Sequence, residues 1–235
     1  MKRISVCMPV YNGAAYLRAQ LESILSQLDE SDEVVISDDG STDNSLNLIE
    51  SFGDSRIRVI AGPRLGHPSY NLEYALSAAQ GNYLFLADQD DVWLPNKVVV
   101  MLEALKKYSL VIHDCRVTDE ALVIIHPSFY ALHGSKNGLI NNFVRNSYLG
   151  CCMAFRRELL QKALPFPQKI AMHDIWLGLI GAAWFSTHFI PDQLLLYRRH
   201  GRNASTTSDP SKYSIWQQLE LRCRLAIQLL STLSR

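Results

Sequence analysis

The sequence is short of the features that mark a disulfide-stabilised or zinc-clipped protein. It holds five cysteines, an odd number, and no two of them form a C-x-x-C pair. This spacing argues against a disulfide framework and against a structural zinc, and it favours a reducing compartment. The adjacent residues Cys151 and Cys152 are therefore interpreted as core residues on a strand.

An excess of one charge and long apolar runs are also missing. Lys plus Arg and Asp plus Glu both number 23, so no global field attracts nucleic acid. The most hydrophobic stretch, 175–185, is too short to cross a bilayer and contains two glycines. No apolar signal segment follows Met1, and we therefore expect a cytoplasmic protein.

Glycine-rich phosphate-binding loops of the GxxxxGK[ST] and GxGxxG types do not occur in the sequence. If the protein binds phosphates, their charge must be neutralised by a metal ion and by side chains. The best basic candidates are Arg198, Arg199 and His200, which stand beside Gly201 after a strand-like segment.

What the first half of the chain does contain is a regular alternation of strand-like and helix-like patterns. Short apolar segments occur at 4–9, 33–37, 56–61 and 83–87, with helical spacing between them at 16–28, 42–49 and 71–80. This rhythm predicts an α/β fold with a mostly parallel sheet flanked by helices. Such sheets bind ligands at the carboxyl ends of their strands.

The second half loses this rhythm. Strand-like pieces at 110–113, 122–125, 150–155 and 194–199 mix with long polar connections and one helix at 174–184. A tail helix is predicted from Ser208 to Arg235. We interpret the chain as one domain with two functional halves, 1–109 and 110–207, followed by the tail 208–235.

Acidic residues follow the predicted strands in three clusters: Asp38-Asp39, Asp88-x-Asp90-Asp91 and Asp174. Carboxylates that converge on one edge of a sheet need a counter-charge, and a hard divalent cation supplies it. A cation bound to a diphosphate would also stabilise the charge that develops on a leaving phosphate.

Five segments together carry a resemblance to family 2 glycosyltransferases, in that family's order and approximate spacing. They are MPVYNG (8–13), ISDDGSTD (36–43), LADQDDVW (86–93), MHDIW (172–176) and YRRHG (197–201). The last three variants resemble bacterial rhamnosyltransferase-like members, which build O-antigen or capsule polysaccharide. The resemblance implies a GT-A fold, an inverting mechanism and a Mg²⁺ or Mn²⁺ ion.

The resemblance assigns binding of a UDP- or dTDP-sugar to 1–109 and binding of a glycan or lipid-linked glycan acceptor to 110–207. Pro9, Tyr11 and Asn12 would line the nucleotide base, and Asp39 would accept a hydrogen bond from the pyrimidine ring. The alternative for Tyr11 and Asn12 is a simple turn. The remaining candidates for donor binding are Arg64, Asp88, Gln89, Arg198 and His200.

Asp88 and Asp90 match the family's D-x-D motif, with Asp90 as the metal ligand and Asp88 on metal or ribose. Asp91 is an alternative to either one, because the run leaves the register open. Asp174 occupies the position of the catalytic base, with a helix cap as the alternative. His173 and Trp176 are the acceptor-binding candidates.

The tail carries an apolar stripe of Trp216, Leu219, Cys223, Ala226, Ile227, Leu230 and Leu233. The stripe is interpreted as a packing face, on this protein or on a second subunit of a homodimer, or as a peripheral contact with anionic lipid. Two rival functions also stay open, a sugar nucleotidyltransferase and a non-catalytic module that binds nucleotide sugars.

Overall fold

The computed structural model describes residues 3–170, 172–201 and 215–234. The strands are β1 (Ile4–Val10), β2 (Glu33–Asp38), β3 (Ile57–Ala61), β4 (Tyr83–Leu86), β5 (Val92–Trp93), β6 (Leu110–Thr118), β7 (Ile124–His126), β8 (Met153–Arg156) and β9 (Thr187–Arg198). The helices are α1 (Ala14–Leu25), α2 (Ser45–Glu50), α3 (Pro68–Ala78), α4 (Lys97–Leu105), α5 (Phe129–His133), α6 (Leu139–Val144), α7 (Leu160–Ala163), α8 (His173–Trp184) and α9 (Ile215–Ser231).

All the described strands join one sheet in the order β3-β2-β1-β4-β8-β6-β9-β5, and β7 pairs with β6. The first four strands are parallel, as the alternating pattern predicts. Beyond β4 the sheet is mixed, because β8 runs antiparallel to both β4 and β6 while β6 and β9 are parallel. The expected α/β architecture is present, and one sheet connects the two halves of the chain.

The core forms because the central strands are covered on both faces. The side chains of β1 and β2 are almost all buried regardless of their alternation, which is typical of a parallel sheet packed between helices. On α1 the apolar residues Leu17, Leu21, Ile24 and Leu25 form one face, and all four are buried. This packing fixes the carboxyl ends of β1, β2 and β4 at a common edge.

The later strands are longer than the sequence patterns predict. β6 continues to Thr118 and β9 begins at Thr187. Their register shifts between His113 and Asp114, where Pro191 and Asp192 are extra residues on β9. A proline and an aspartate interrupt the apolar pattern, but a bulge accommodates them and lets the strand continue. Cys151 and Cys152 are buried as expected, but they lie in a 3₁₀ turn just before β8 and not on the strand itself.

The tail is helical, and its predicted start at Ser208 lies outside the described residues. α9 packs against α8 through the other side of the helix from the predicted stripe, with Leu225 only 5% exposed. In the described part of the stripe, Ile227, Leu230 and Leu233 are 68%, 63% and 61% exposed. These three described residues of the stripe therefore do not pack on this protein. In the part of the chain that the structure describes, no helix has both the length and the hydropathy of a membrane span.

Candidate active site

A cleft of about 330 Å³ opens at the carboxyl ends of β1, β2 and β4. Eight of the predicted site residues line it: Pro9, Tyr11, Asp39, Asp88, Gln89, Asp90, His173 and Asp174. Among the described residues that line the cleft, none is an arginine or a lysine. Four of the lining residues are aspartates, Asp39, Asp88, Asp90 and Asp174.

At one end of the cleft, Asp39 is held by backbone N–H groups. Its carboxylate accepts hydrogen bonds from Leu65 (3.3 Å) and Gly66 (2.8 Å), and the residue is only 7% exposed. A carboxylate fixed in this way keeps further lone pairs for a ligand. Tyr11 lines the same end, and 54% of its surface is exposed. An exposed ring beside a fixed carboxylate can stack on a flat heterocycle while the carboxylate accepts its N–H.

Arg64 lies outside the main cleft, in an adjoining depression that Tyr11 and Asp39 also line. Its backbone is left-handed, with φ of 57°, and its side chain approaches Gly40, which has φ of 90°. Glycine suits that position because a side chain with positive φ is strained. Arg64 thus lies next to the end of the cleft that Tyr11 and Asp39 line, but it does not line the cleft itself.

Asn12 is turned away from the cleft and holds two loops together. Its Oδ1 accepts hydrogen bonds from the backbone N–H groups of Thr42 (2.8 Å) and Asp43 (3.3 Å). Its own N–H donates to Ser41 Oγ, and its φ is 49°. Asn12 therefore shapes the loop that carries Tyr11 and does not itself line the cavity.

The Asp88–Asp91 run follows β4 and divides into partly buried carboxylates that border the cleft and one fully buried carboxylate. Asp88 and Asp90 face the cleft, whereas Asp91 is 0% exposed and accepts a hydrogen bond from the Arg198 backbone N–H (3.0 Å). Although Asp88 borders the cleft, burial of its carboxyl, followed by repulsion from Asp90 and Asp174, raises its pKa to about 7. Crowded carboxylates of this kind favour a bound cation.

Two groupings of donor atoms exist around this run. Asp88, Asp91 and Cys151 have donor atoms within 4.8 Å of one another, and Asp90 Oδ2 lies 2.8 Å from His200 Nε2. Burial raises the pKa of the Cys151 thiol well above its usual range, and a protonated thiol is a poor ligand. Mg²⁺ and Mn²⁺ prefer oxygen ligands. The cleft-facing carboxylates Asp88 and Asp90, with His200 behind Asp90, therefore fit such an ion better.

Lys97 supplies a buried positive charge beneath the acidic run. The residue is 0% exposed; its Nζ donates to the Cys151 carbonyl oxygen (2.7 Å) and lies 4.2 Å from the centre of the Trp93 ring. Its charge lowers the pKa of Asp88. The sequence reasoning missed Lys97. Its position in the sequence could have indicated burial. Lys97 precedes Met101 by four residues, which places both on the buried face of α4.

Arg198 supports the acidic loop from behind and lines no part of the cleft. Its Nε donates to the Asp90 carbonyl oxygen (2.8 Å), another guanidinium nitrogen donates to the Glu120 carbonyl oxygen (2.7 Å), and the residue is 8% exposed. His200 is stacked on Tyr16 with ring centres 4.6 Å apart. The structure places His200 against Asp90, the metal ligand that the resemblance implies.

On the opposite side of the cleft, Asp174 lies in the first turn of α8 and is 6% exposed. One carboxylate oxygen accepts a hydrogen bond from the Ile175 N–H (2.6 Å). Burial raises the pKa of Asp174 to about 6, although this hydrogen bond lowers it. A carboxylate with a raised pKa at a cleft is suited to take a proton from a hydroxyl.

His173 precedes Asp174 in the chain and is held in place by Ser69 and Gly150. Its backbone N–H donates to Ser69 Oγ (3.0 Å), and its ring Nδ1 lies 3.4 Å from the same oxygen. The ring also packs so closely on Gly150 that a Cβ there would lie 2.6 Å from Nε2. Burial lowers the pKa of His173 to about 4, so the ring is neutral at pH 7.

Trp176 requires a correction. We expected it to pack on the acceptor sugar, but it is 1% exposed and its indole N–H donates to the Ala163 carbonyl oxygen (2.9 Å). It follows Asp174 by two positions, and this spacing directs it to a different side of α8. Trp176 is therefore a core residue. His67, which the sequence reasoning left without a role, does line the cleft.

The chain is similar in sequence to proteins named as glycosyltransferases. The chain is 26% identical to the dTDP-rhamnosyl transferase RfbG of Shigella flexneri, over 83% of this chain and 72% of that protein. It is 29% identical to the UDP-Glc:alpha-D-GlcNAc-diphosphoundecaprenol beta-1,3-glucosyltransferase WfgD of Escherichia coli, over 75% and 69%. Some relatives are much longer, and the chain spans only 35% of an uncharacterized glycosyltransferase of Rickettsia felis.

Solved structures share the fold. TarS of S. aureus (residues 1–349), in complex with UDP-GlcNAc, superposes with a TM-score of 0.75 at 18% identity, over 97% of this chain and 66% of that one. The mannosyltransferase PcManGT of Pyrobaculum calidifontis, in complex with GDP-Man and Mn²⁺, gives 0.63 at 18% identity, over 99% and 73%. At this identity the likeness concerns the fold, which is the GT-A architecture. The model of the family described as glycosyl transferase family 2 matches residues 5–164, and the chain belongs to that family of enzymes.

Proposed function

We propose that the protein transfers a sugar, with inversion, from a UDP- or dTDP-sugar to a hydroxyl of a glycan acceptor, and that the reaction requires Mg²⁺ or Mn²⁺. The observation that carries the proposal is the convergence of Asp39, the Asp88/Asp90 pair and Asp174 on one cleft. The names of the relatives RfbG and WfgD, which use dTDP- and UDP-linked sugars, support a pyrimidine donor. They also support a role in bacterial surface polysaccharide synthesis.

The base of the donor is placed between Tyr11 and Asp39. The exposed Tyr11 ring offers a stacking surface, and the Asp39 carboxylate, already oriented by Leu65 and Gly66, accepts the pyrimidine N–H. Stacking and one charge-assisted hydrogen bond together select a flat ring with an N–H at that edge.

The diphosphate lies at the other side of this base pocket, next to Asp88 and Asp90. These residues, with His200, would hold the metal ion, which when bound offsets the negative charge on the leaving diphosphate. Arg198 keeps the loop in place through the Asp90 carbonyl oxygen. The chain's own task here is to orient two carboxylates toward the cleft and keep Asp91 buried.

Asp174 acts as the general base. A hydroxyl is a weak nucleophile at neutral pH, so its proton must leave as the bond to the anomeric carbon forms. With a pKa of about 6, Asp174 is mostly ionised at pH 7 and can accept that proton. Attack on the face opposite the diphosphate inverts the anomeric configuration, and no covalent intermediate is needed.

The proposal is tested by incubating the protein with UDP- and dTDP-sugars, with Mn²⁺ or with excess EDTA, and following its melting temperature. A donor should stabilise the protein by mass action only when the cation is present. Transfer to a glycan acceptor is then followed by NMR of the product's anomeric proton. Stabilisation and full transfer in EDTA, or a retained configuration, would contradict the proposal.

We further propose that the outward face of α9 provides peripheral contact with anionic membrane, where a lipid-linked acceptor resides. Ile227 and Leu230 are exposed on this face, and Arg224 lies nearby. The acceptor in the name of WfgD, a diphosphoundecaprenol glycan, supports such a location. Ile227→Ser with Leu230→Ser should release the protein from anionic vesicles at an unchanged melting temperature. Unchanged vesicle binding, or conversion of a dimer to a monomer instead, would contradict it.

A further inference from the structure

Gln89 lies between the two metal-site carboxylates, but its amide is directed at the backbone of another loop. Its Oε1 accepts a hydrogen bond from the Tyr11 N–H (2.9 Å), and its Nε2 donates to the Tyr11 carbonyl oxygen (3.1 Å). One side-chain amide thus pairs with both polar groups of a single residue, as a neighbouring strand would. The contact connects the loop after β4 to the loop after β1.

Gly13 packs directly against the same amide. A Cβ built on Gly13 would lie 2.4 Å from Gln89 Oε1 and 2.7 Å from its Cδ. The φ of Gly13 is −100°, which is not the left-handed region, so its backbone alone does not call for glycine. Glycine at position 13 therefore makes room for the Gln89 side chain.

The two loops joined by this contact carry different parts of the donor site. Tyr11 lines the base-binding end, and Gln89 is flanked by Asp88 and Asp90. Behind the cleft, the Asp88 carbonyl oxygen accepts a hydrogen bond from the buried Gln20 of α1 (2.5 Å). On the cleft side, the Gln89 amide is what fixes the Tyr11 peptide relative to the acidic run.

We propose that Gln89 is a positioning residue that sets the separation between the base-binding Tyr11 and the metal-binding carboxylates, and that it acts through the Tyr11 backbone. This inference rests on the proposed function. A nucleoside diphosphate must reach both sites at once, so the distance between them decides its affinity. We call Gln89 with Tyr11 and Gly13 the latch. Disrupting the latch should weaken binding of the nucleoside diphosphate and should leave the contribution of the transferred sugar to binding unchanged.

The test measures binding of UDP and of dTDP, each with Mn²⁺, by calorimetry. Gln89→Ala removes two partly exposed hydrogen bonds, and we expect affinity to fall on the order of tenfold. Gly13→Ala should weaken binding similarly, because the new methyl group displaces the amide. In the Gln89→Ala background that obstacle is gone, so Gly13→Ala should have no further effect on binding.

Gln27→Ala is the matched control. Gln27 also bridges two backbone groups, donating to the Leu94 carbonyl oxygen (3.1 Å) and accepting from the Val98 N–H (3.4 Å), but it does not line the cleft. We expect its nucleotide affinity to equal that of the unmodified protein. Any loss of stability that this variant shares with Gln89→Ala is then not the cause of weakened binding.

Three results would overturn the latch. Unchanged affinity in Gln89→Ala would show that the contact is idle. Additive effects of Gly13→Ala and Gln89→Ala would show that the two residues act separately. A defect seen with the UDP-sugar but not with UDP would make Gln89 a sugar ligand. Failure of the proposed function looks different, because the unmodified protein would then bind neither nucleoside diphosphate.

Discussion

The two sides of the cleft hold their carboxylates in different ways. After the proposed function, we call the side with Asp39, Asp88 and Asp90 the donor wall and the side with Asp174 the acceptor wall. On the donor wall, Asp39 accepts hydrogen bonds from two backbone N–H groups of a neighbouring loop. On the acceptor wall, Asp174 is equally buried, 6% against 7% exposed, but its hydrogen bond comes from the adjacent Ile175. The pKa of Asp174 is raised to about 6 by its burial. The two carboxylates thus have similar exposure but different hydrogen-bond partners.

Under the proposed function, the two aspartates take two different roles in one cleft. A carboxylate fixed by the backbone of another loop is a stationary acceptor, suited to reading a base. A buried carboxylate with little outside support exchanges its proton near neutral pH, which suits a general base. The Asp88/Asp90 pair is a third case. Asp88 and Asp90 repel each other, and the proposed cation would offset that repulsion.

The largest effect is expected from Asp90→Asn on the donor wall. The change removes one charge from the cleft and breaks the pairing with His200, so metal-dependent donor binding and transfer should both fail. Loss of several kcal/mol of charge stabilisation corresponds to a rate decrease on the order of 10⁴-fold. Mn²⁺ titration and a transfer assay measure the two losses. Asp192→Asn, at an exposed position on β9, is the control and should behave like the unmodified protein.

Asp174→Asn should separate the acceptor wall from the donor wall. We expect turnover to fall on the order of 10²–10⁴-fold, because a positioned base is lost, while donor affinity stays nearly constant. Steady-state kinetics and calorimetry with the donor provide the two values. Normal turnover in this variant would remove Asp174 from the mechanism, and weakened donor binding would place it on the donor wall.

Lys97→Met tests what supports the donor wall. The change leaves buried carboxylates without their counter-charge and the Cys151 carbonyl oxygen without its donor. Removing one member of a buried charge group costs about 3–5 kcal/mol, and we expect the free energy of unfolding to fall by that amount. Urea denaturation measures it. Lys106→Met, on an exposed residue just after the same helix, should change stability by less than about 1 kcal/mol. Equal effects of the two changes would contradict a counter-charge role.

The sequence predicts the donor wall well because two independent signals coincide there. Short apolar segments define β1, β2 and β4, and the strand ends place Asp39, Asp88 and Asp90 at one edge without knowledge of any contact. Only the structure shows which carboxylates of the Asp88–Asp91 run could reach a metal ion in the cleft. Asp91 is fully buried, whereas Asp88 and Asp90 line the cleft. Spacing alone carries no information about which member of a D-x-D-D run turns inward.

The acceptor wall is less predictable for physical reasons. α8 is apolar on most of its surface, so its pattern does not show which side meets the cleft, and Trp176 was assigned to the wrong side. Tyr197 and Arg198 are neighbours at the end of β9, and both are buried. The usual alternation of buried and exposed strand residues therefore does not predict on which face of the sheet the Arg198 guanidinium lies. The buried role of Lys97 depends on its contacts with Trp93 and Cys151, which the helical pattern of α4 does not show.

The smallest expected effect is a pH dependence that sharpens the contrast between the walls. Under the proposed function, saturating Mn²⁺ would keep Asp88 ionised, so a remaining step near pH 6 would belong to Asp174. The base works only when it is ionised, and turnover should therefore fall about tenfold for each pH unit below about 6.

Stability should change in the opposite direction. The folded-state pKa of Asp174 is raised from 3.8 to about 6, so the folded protein binds this proton more tightly than the unfolded chain does. The resulting stabilisation is complete below pH 3.8 and is lost as pH rises through about 6, with a total of roughly 3 kcal/mol. Melting temperatures of the unmodified protein and of Asp174→Asn, compared between pH 4.5 and 7.5, measure this contribution together with the repulsion of Asp88 by Asp174, because the asparagine neither titrates nor carries a charge. Parallel curves for the two proteins would show that Asp174 ionises as freely as a surface carboxylate. Burial of Asp174 would then not be what suits it to act as a general base.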